Sequence, residues 1–332
     1  MGQRIEEFDL IKGVGIILVV IGHCKISNDL HSAIYSFHMP LFFVVSGYFF
    51  YKESITKKFK KTFLHLIIPW VFFVFLNILF SIISKYLSTF NAVESIKSTL
   101  SIIDPLNDDC FILYRSIWFL LVLFMVINFY NLISLFFNRV LITLSCIVFY
   151  LCGYALQVHV NIPFFIDTTL SVILYYNIGN NMALILNCFY VKFQNRHTCI
   201  IAFLVFILCI VCSIYLLPDI DFKYNLYPWW APFLSLPIII SLLFICKFLS
   251  TLNLSFIKAF ILKCGFFSLS ILGFHRIFQD VFFILLGKIG INWGYPHTFL
   301  FVLIAIPLIL LVSYFLYLYS PILIGLNKKL KK

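Results

Sequence analysis

Charge is what this sequence has least of. Only 11% of its 332 residues are Asp, Glu, Lys or Arg, against roughly 25% in a typical soluble domain. A water-soluble fold of this length keeps a charged exterior, so a soluble enzyme is excluded. A disordered chain and a porin-type barrel are excluded too, since the strands of such a barrel alternate and do not run solidly apolar. The common chemical signatures are also missing. There is no G-x-x-x-x-G-K-[ST], so no nucleotide-driven motor is expected, and no G-x-S-x-G nucleophile elbow. The histidines are scattered and none has a glutamate at i,i+4, so no metal site is expected. No internal repeat, low-complexity tract or appended soluble domain is visible. Asp9 and Lys12 interrupt the first apolar stretch, and no small-residue cleavage site follows it, so no cleavable signal peptide is expected.

What is present is apolar. Hydrophobic residues make up 63% of the chain, and Phe alone supplies 41 positions. A membrane span needs about 20 such residues. Apolar runs at about 10–26, 38–51, 63–84, 116–137, 140–157, 164–188, 198–217, 231–249, 265–286 and 298–318 give ten expected spans, the second of them short and opening at Pro40. The expected fold is therefore an all-α polytopic membrane protein forming a single domain over 1–332, with a basic tail from about 320. Two polar intervals separate spans: 85–115, with Glu94, Asp104, Asp108 and Asp109, and 218–230, with Asp219, Asp221 and Tyr-Pro-Trp-Trp.

The net charge of +11 does not point to nucleic acid, because the basic residues lie in short groups between apolar runs. They read instead as topology. With ten spans and a cytoplasmic N-terminus, Lys25, Lys85, Lys97, Arg115, Lys223 and Lys288 fall outside, and Lys12 and Arg276 fall within spans. The other sixteen of the 24 Lys and Arg lie inside. Both termini are thus expected in the cytoplasm. Ten cysteines mostly sit within apolar runs, where Cys behaves as a small hydrophobe. Cys209 and Cys212 have C-x-x-C spacing, but the run ILCIVCSIY reads as a lipid-buried helix.

Against this background, ionisable residues inside spans are costly and become functional candidates. The first span carries Lys12 and His23. Eleven residues are almost three helical turns, so both project from one face, about 16 Å apart along the axis. Asp9 can pair with Lys12 at i,i+3. Two readings stay open: a functional pair, or a lysine reaching the inner interface and a histidine bonded to a carbonyl near the outer one.

The segment from Asp9 to His23, followed by IYSF, His38 and MPLFFVVSGYFF, resembles the start of the membrane-bound acyltransferase-3 family, and within it the fucose-O-acetylase-like sugar acetyltransferases. The family carries a basic residue, ten residues and a histidine, matched by Lys12 and His23. Its Phe-x-x-Ser-Gly element is matched by Phe43, Ser46 and Gly47. Its basic stretch before a Leu-Ile-Pro segment is matched by Lys57, Lys58, Lys60, Lys61 and LIIPW at 66–70. Weaker similarity follows at IWFLLVLF (117–124), at Asp167 to Gly179, and at GFFSLSILGFHRI with His275 and Arg276. Many members have arginines where this chain has Lys60, Lys61 and His65. Lysine lacks arginine's bidentate fork, so those members' phosphate contacts do not carry over residue for residue.

The resemblance implies transfer of an acyl group, most often acetyl, from cytoplasmic acetyl-CoA to a sugar hydroxyl facing the outer leaflet, in the inner (cell) membrane of a bacterium. The acceptor it implies is a cell-surface glycan or lipid-linked sugar. Histidine suits a general base near pH 7, which assigns that role to His23. Lys12 and the 57–61 lysines suit the phosphates of CoA, although the topology rule alone also explains them. Ser46 either hydrogen-bonds the thioester or, with Gly47, lets two helices approach closely. His38 either orients His23 or binds the acceptor. Trp118, His275 and Arg276 are candidate acceptor contacts. Their plainer readings are interfacial anchoring for Trp118 and an i,i+4 ion pair between Arg276 and Asp280. The competing function is a glycan or lipid-linked-sugar exporter, which would show broken helices in paired halves; no such symmetry is visible.

Overall fold

The computed structural model describes residues 6–89, 115–156, 165–189, 196–217, 220–221, 227–252, 255–291 and 294–327. Glu94, Asp104, Asp108, Asp109, Asp219 and the last five residues of the basic tail lie outside these ranges. The described residues form helices throughout. In chain order they are α1 (Glu6–Gly22), α2 (Asn28–Tyr35), α3 (His38–Tyr48), α4 (Ile55–Thr62), α5 (Ile68–Thr89), α6 (Trp118–Phe136), α7 (Arg139–Leu156), α8 (Ile166–Phe189), α9 (Arg196–Leu216), α10 (Pro232–Thr251), α11 (Ser255–Phe266), α12 (Ser268–Lys288) and α13 (Tyr295–Tyr319).

Seven helical stretches are long and apolar enough to cross a membrane: Ile55–Tyr86, Trp118–Phe136, Arg139–Leu156, His197–Leu216, Pro232–Thr251, Ser268–Lys288 and Pro296–Tyr319. The other three expected spans fall on α1, α3 and α8, which are helices but not among the seven. The first two have 17 and 11 residues, and α8 carries Asp167, Asn177, Asn180 and Asn181. Two stretches between expected spans are also helical. Residues 28–35 form α2, whose first turn is capped by the Ser27 hydroxyl accepting from Leu30 N–H. Residues 255–266 form α11, which packs along α1.

The interior is organised around α1, which touches α2, α3, α10, α11, α12 and α13. It is buried along most of its length, including Phe8, Leu10, Ile11, Ile16, Val19 and Val20. Its polar first turn is neutralised from other helices. Lys247 Nζ of α10 lies 2.9 Å from Glu7 Oε1, and Lys258 Nζ of α11 lies 2.6 Å from Glu6 Oε1. The expected pair within α1 is present, with Lys12 Nζ 2.8 Å from Asp9 Oδ1.

Two helix crossings are close enough to require glycine. A Cβ on Gly13 would run into the Ile261 carbonyl, and one on Gly265 into the Asp9 carbonyl, so α1 and α11 meet backbone to backbone. The α3–α8 crossing is built the same way: a Cβ on Gly47 would strike the Tyr176 carbonyl, and one on Gly179 the Val44 carbonyl. Gly47 therefore serves the close-approach role that small residues play in membranes.

Between α4 and α5 the chain winds as a π-helix over Phe63–Ile67, where Ile68 N–H bonds the Phe63 carbonyl five residues back. Pro69 explains the irregularity: it has no N–H to return to His65 O. The C-terminal segment docks at this point. His65 Nδ1 donates to Gly325 O (3.0 Å), and Asn327 Nδ2 lies 3.3 Å from His65 Nε2. Gly325 has φ of 72°, and a Cβ there would also crowd the His65 carbonyl.

Gly179→Ala should lower the melting temperature in detergent, because overpacking a tight contact costs roughly 1–3 kcal/mol. Gly287→Ala on α12 is the control. Nothing lies within 4 Å of its would-be Cβ, and alanine is the better helix former. Equal melting temperatures for the two variants would overturn the close-crossing assignment.

Candidate active site

His23 lies in the turn that ends α1, its backbone N–H still bonded to Val19 O at 3.2 Å. It is half-buried and is held by two elements, α2 and α12. Its ring stacks on His275 of α12, with centroids 5.2 Å apart and planes 10° apart. Its Nδ1 lies 2.9 Å from the hydroxyl of Tyr35, at the end of α2. Its carbonyl accepts from Gln279 Nε2 at 2.6 Å and from Arg276 Nη1 at 3.2 Å. The last carbonyls of a helix have no partner of their own and carry the negative end of its dipole. A cation and an amide from α12 therefore suit this position. One turn on, Thr298 Oγ1 of α13 donates to Lys25 O at 2.9 Å and holds the rest of the turn.

The neighbouring histidines have defined roles in this cluster. His275 is completely buried. Its Nδ1 is 2.9 Å from Leu272 O and 3.1 Å from Ile271 O, and its Nε2 is 3.2 Å from Ser116 Oγ. Carbonyls only accept, so Nδ1 carries a proton. In the neutral ring, Nε2 then accepts from the serine. His38 repeats the pattern, its Nδ1 donating to Ile34 O at 2.9 Å. It reaches His23 only through Tyr35, whose ring meets His38 edge-on at 4.7 Å and stacks on His31 at 3.8 Å. Gly22 makes room for this arrangement, since a Cβ there would press on the Tyr35 ring.

A narrow, mostly apolar cavity of about 140 Å³ lies among α1, α3, α6 and α12. Lys12, Ser46 and Ser268 contribute its polar lining. Val19, Met39 and Leu272 also line it, and each is one turn or less along its helix from His23, His38 or His275. The cavity thus runs from Lys12 along α1 toward the histidines and stops at Val19, Met39 and Leu272, short of the rings themselves. Lys12 stands near the middle of α1 and His23 in the turn that ends it, eleven residues on.

The other candidates lie in three places. Trp118 is buried, 6.0 Å from the Phe165 ring, and is not among the residues lining the cavity. The Arg276 guanidinium also donates to Gln279 Oε1 at 2.8 Å, so it faces the end of α1. The basic helix α4 splits its lysines. Lys57, Lys60 and Lys61 are exposed. Lys58 is buried, with Nζ 2.5 Å from Tyr51 O, 3.4 Å from Glu53 Oε2 and 4.0 Å from the Tyr51 ring centre. No group of three or more His, Cys, Asp or Glu among the described residues could hold a metal ion.

Tyr35, Ser116 and Gln279 were not singled out by sequence. Tyr35 precedes His38 by three residues, and Gln279 follows Arg276 by three. The second spacing puts Gln279 on the same side of α12 as Arg276, whereas Tyr35 and His38 lie on successive helices, α2 and α3. Nothing near Ser116 marks it, because its partner is 159 residues away.

A family model described as an acyltransferase domain, that of acyltransferase-3, matches residues 5–318. No curated protein and no solved structure matches the chain.

Removing the α12 donors should loosen the end of α1. A hydrogen bond from a charged donor is worth about 1.5–3 kcal/mol. Amide exchange at His23 and Cys24 should therefore quicken by roughly ten- to hundredfold in Arg276→Ala. Hydrogen-exchange mass spectrometry of the detergent-solubilised protein checks this. Unchanged protection there would mean that the turn is held without Arg276.

Proposed function

The chain belongs to the acyltransferase-3 family, and from that premise we propose that it is a membrane O-acetyltransferase. In this reading it moves an acetyl group from cytoplasmic acetyl-CoA to a hydroxyl of a cell-surface glycan or lipid-linked sugar, in the inner membrane of a bacterium. The ten helical stretches all cross the membrane with both termini in the cytoplasm, so Lys12 lies toward the inside and His23 toward the outside. The sugar-acetylating branch of the family is the closest in its motifs. Membership also favours acyl transfer over the exporter alternative.

One observation carries the reading. The cavity lined by Lys12 extends along α1 as far as Val19, four residues before His23, whose ring is held between Tyr35 and His275 and whose carbonyl is held by Gln279. With Nδ1 directed at Tyr35, Nε2 is the nitrogen that meets the acceptor hydroxyl. Removing that proton as the oxygen attacks the thioester carbonyl is general-base catalysis, worth typically 10²–10⁴-fold. The carbon–oxygen bond forms, the carbon–sulfur bond breaks, and His23 returns the proton to the departing thiolate.

The donor's features suit the Lys12 end. Its phosphates find point charges on Lys57, Lys60 and Lys61. Its unbranched thioester arm suits a narrow apolar passage better than a broad one, and Lys12, Ser46 and Ser268 provide polar contacts along the way. His38, His275 and Tyr35 line up behind the base, and Arg276 sets its backbone.

A strain lacking the gene, complemented with wild-type or His23→Ala protein, tests the proposal through the NMR O-acetyl signals of its surface polysaccharide. Wild type should restore a signal that the deletion removes, and His23→Ala should not. Full acetylation by a normally expressed His23→Ala protein would refute the base role. Loss of the glycan itself, with no acetyl change, would point to export.

A further inference from the structure

A second recess lies away from the histidine cluster. It is a groove of about 940 Å³ on the flank of the bundle, between α11 and α13 with Ile17 of α1 at its back. Its walls include Phe260, Phe266, Leu303, Ile306 and Leu311, and Lys263 stands at one end beside Tyr314 and Tyr317. In a membrane-spanning bundle such a flank faces hydrocarbon, so its occupant is a lipid chain. The question is whether the site selects one lipid.

Three features say that it does. The first is length. Val302 to Tyr317 spans fifteen residues of α13, or about 22 Å at 1.5 Å per residue. Half of the hydrocarbon core is about 15 Å, so the groove takes one upright acyl chain past the midplane. The second is the polar mark at one end. Tyrosines sit at the headgroup level of membrane proteins, and Tyr314 and Tyr317 are at the Lys263 end.

The third is charge. Lys263 and Phe266 also line an adjoining hollow of about 440 Å³ with Glu6 and Asp9. Three carboxylates are at that end, and each already faces a lysine: Glu6 with Lys258, Glu7 with Lys247 and Asp9 with Lys12. Lys263 is the fourth lysine, exposed, and makes no ion pair among the described residues. One positive charge is left over at the mouth of an apolar slot.

We propose that this groove is a binding site for an anionic phospholipid of the leaflet on the Lys12 side, with its phosphate on Lys263 and one acyl chain between α11 and α13. Lys263 and Leu311 touch none of the groups assigned to acyl transfer, so lipid retention and transfer rate report separately.

Native mass spectrometry of the full chain, purified in mild detergent and titrated with phosphatidylglycerol or phosphatidylcholine, tests the site. Wild type should retain one phosphatidylglycerol in preference to phosphatidylcholine. Lys263→Glu should weaken that retention by at least about fivefold, the worth of one basic residue at an anionic surface, and should erase the preference. Leu311→Trp, at an exposed position on the groove wall, should reduce retention of both lipids and leave the melting temperature unchanged. Equal retention of the two lipids by wild type, undiminished phosphatidylglycerol binding by Lys263→Glu, or a co-purifying polyprenyl phosphate in place of phospholipid would each overturn the proposal.

Discussion

Everything in this molecule hangs on how α1 is buried. A helix surrounded by others must have its polar groups answered from within the protein, because hydrocarbon offers no water to do so. The middle of α1 meets the demand with small residues: Gly13 against the Ile261 carbonyl and Gly265 against the Asp9 carbonyl bring two backbones into contact. The ends meet it with charge. Lysines from α10 and α11 neutralise Glu7 and Glu6, and Arg276 with Gln279 takes up the terminal carbonyl at His23. Together these contacts restrain α1 against α10, α11 and α12, so the positions of Lys12 and His23 follow from the packing and owe little to their own side chains.

That arrangement separates two chemistries along one axis. Lys12 and the hydroxyls of Ser46 and Ser268 line the narrow cavity, and the imidazoles and a phenol lie beyond its Val19, Met39 and Leu272 end. The histidine end is rigid for a definable reason. His275 is locked by two backbone carbonyls and Ser116, His38 by a carbonyl, and Tyr35 by stacking on His31. Buried polar groups with all their partners in place restrict the ring they surround to one orientation. In the proposed reading, a base so held does not have to be ordered when its substrate arrives, which is where much of the gain from positioning comes from.

The parts legible in the sequence were those written in local periodicity. Apolar runs located the helices, and the eleven-residue interval from Lys12 to His23 placed the two at opposite ends of one face. The Asp9–Lys12 pair followed from i,i+3 spacing. Three kinds of feature were not legible. Short helices such as α2 and α11 lie between apolar runs, where loops were the natural expectation. Pairings across long separations, such as Ser116 with His275, leave no local mark. And the bond from Arg276 to the end of α1, made besides any partner on its own helix, has no signature in the spacing around it.

The basic helix α4 shows the last limit most clearly. By type, Lys57, Lys58, Lys60 and Lys61 are one cluster. By geometry they are not, because at 100° per residue Lys57, Lys60 and Lys61 share a face while Lys58 falls with Thr62 on the other. That second face is pinned to α6: Asn128 donates to the Thr62 hydroxyl at 2.9 Å, and Asn131 exchanges hydrogen bonds with the Glu53 backbone at 2.9 and 3.0 Å. Lys58 therefore closes a buried ion pair with Glu53, and its charge is spent inside the protein. His65, one turn beyond, is bonded to the C-terminal segment through both ring nitrogens. Any polyanion approaching this face meets three exposed lysines, of which Lys57 also pairs with Glu53 at 3.3 Å and Lys61 lies over the Tyr51 ring at 4.4 Å, and arginine-like bidentate recognition is absent from all three. Donor binding on such a surface would rest on summed point charges, which salt screens strongly, and its selectivity would have to come from the narrow passage beyond Lys12.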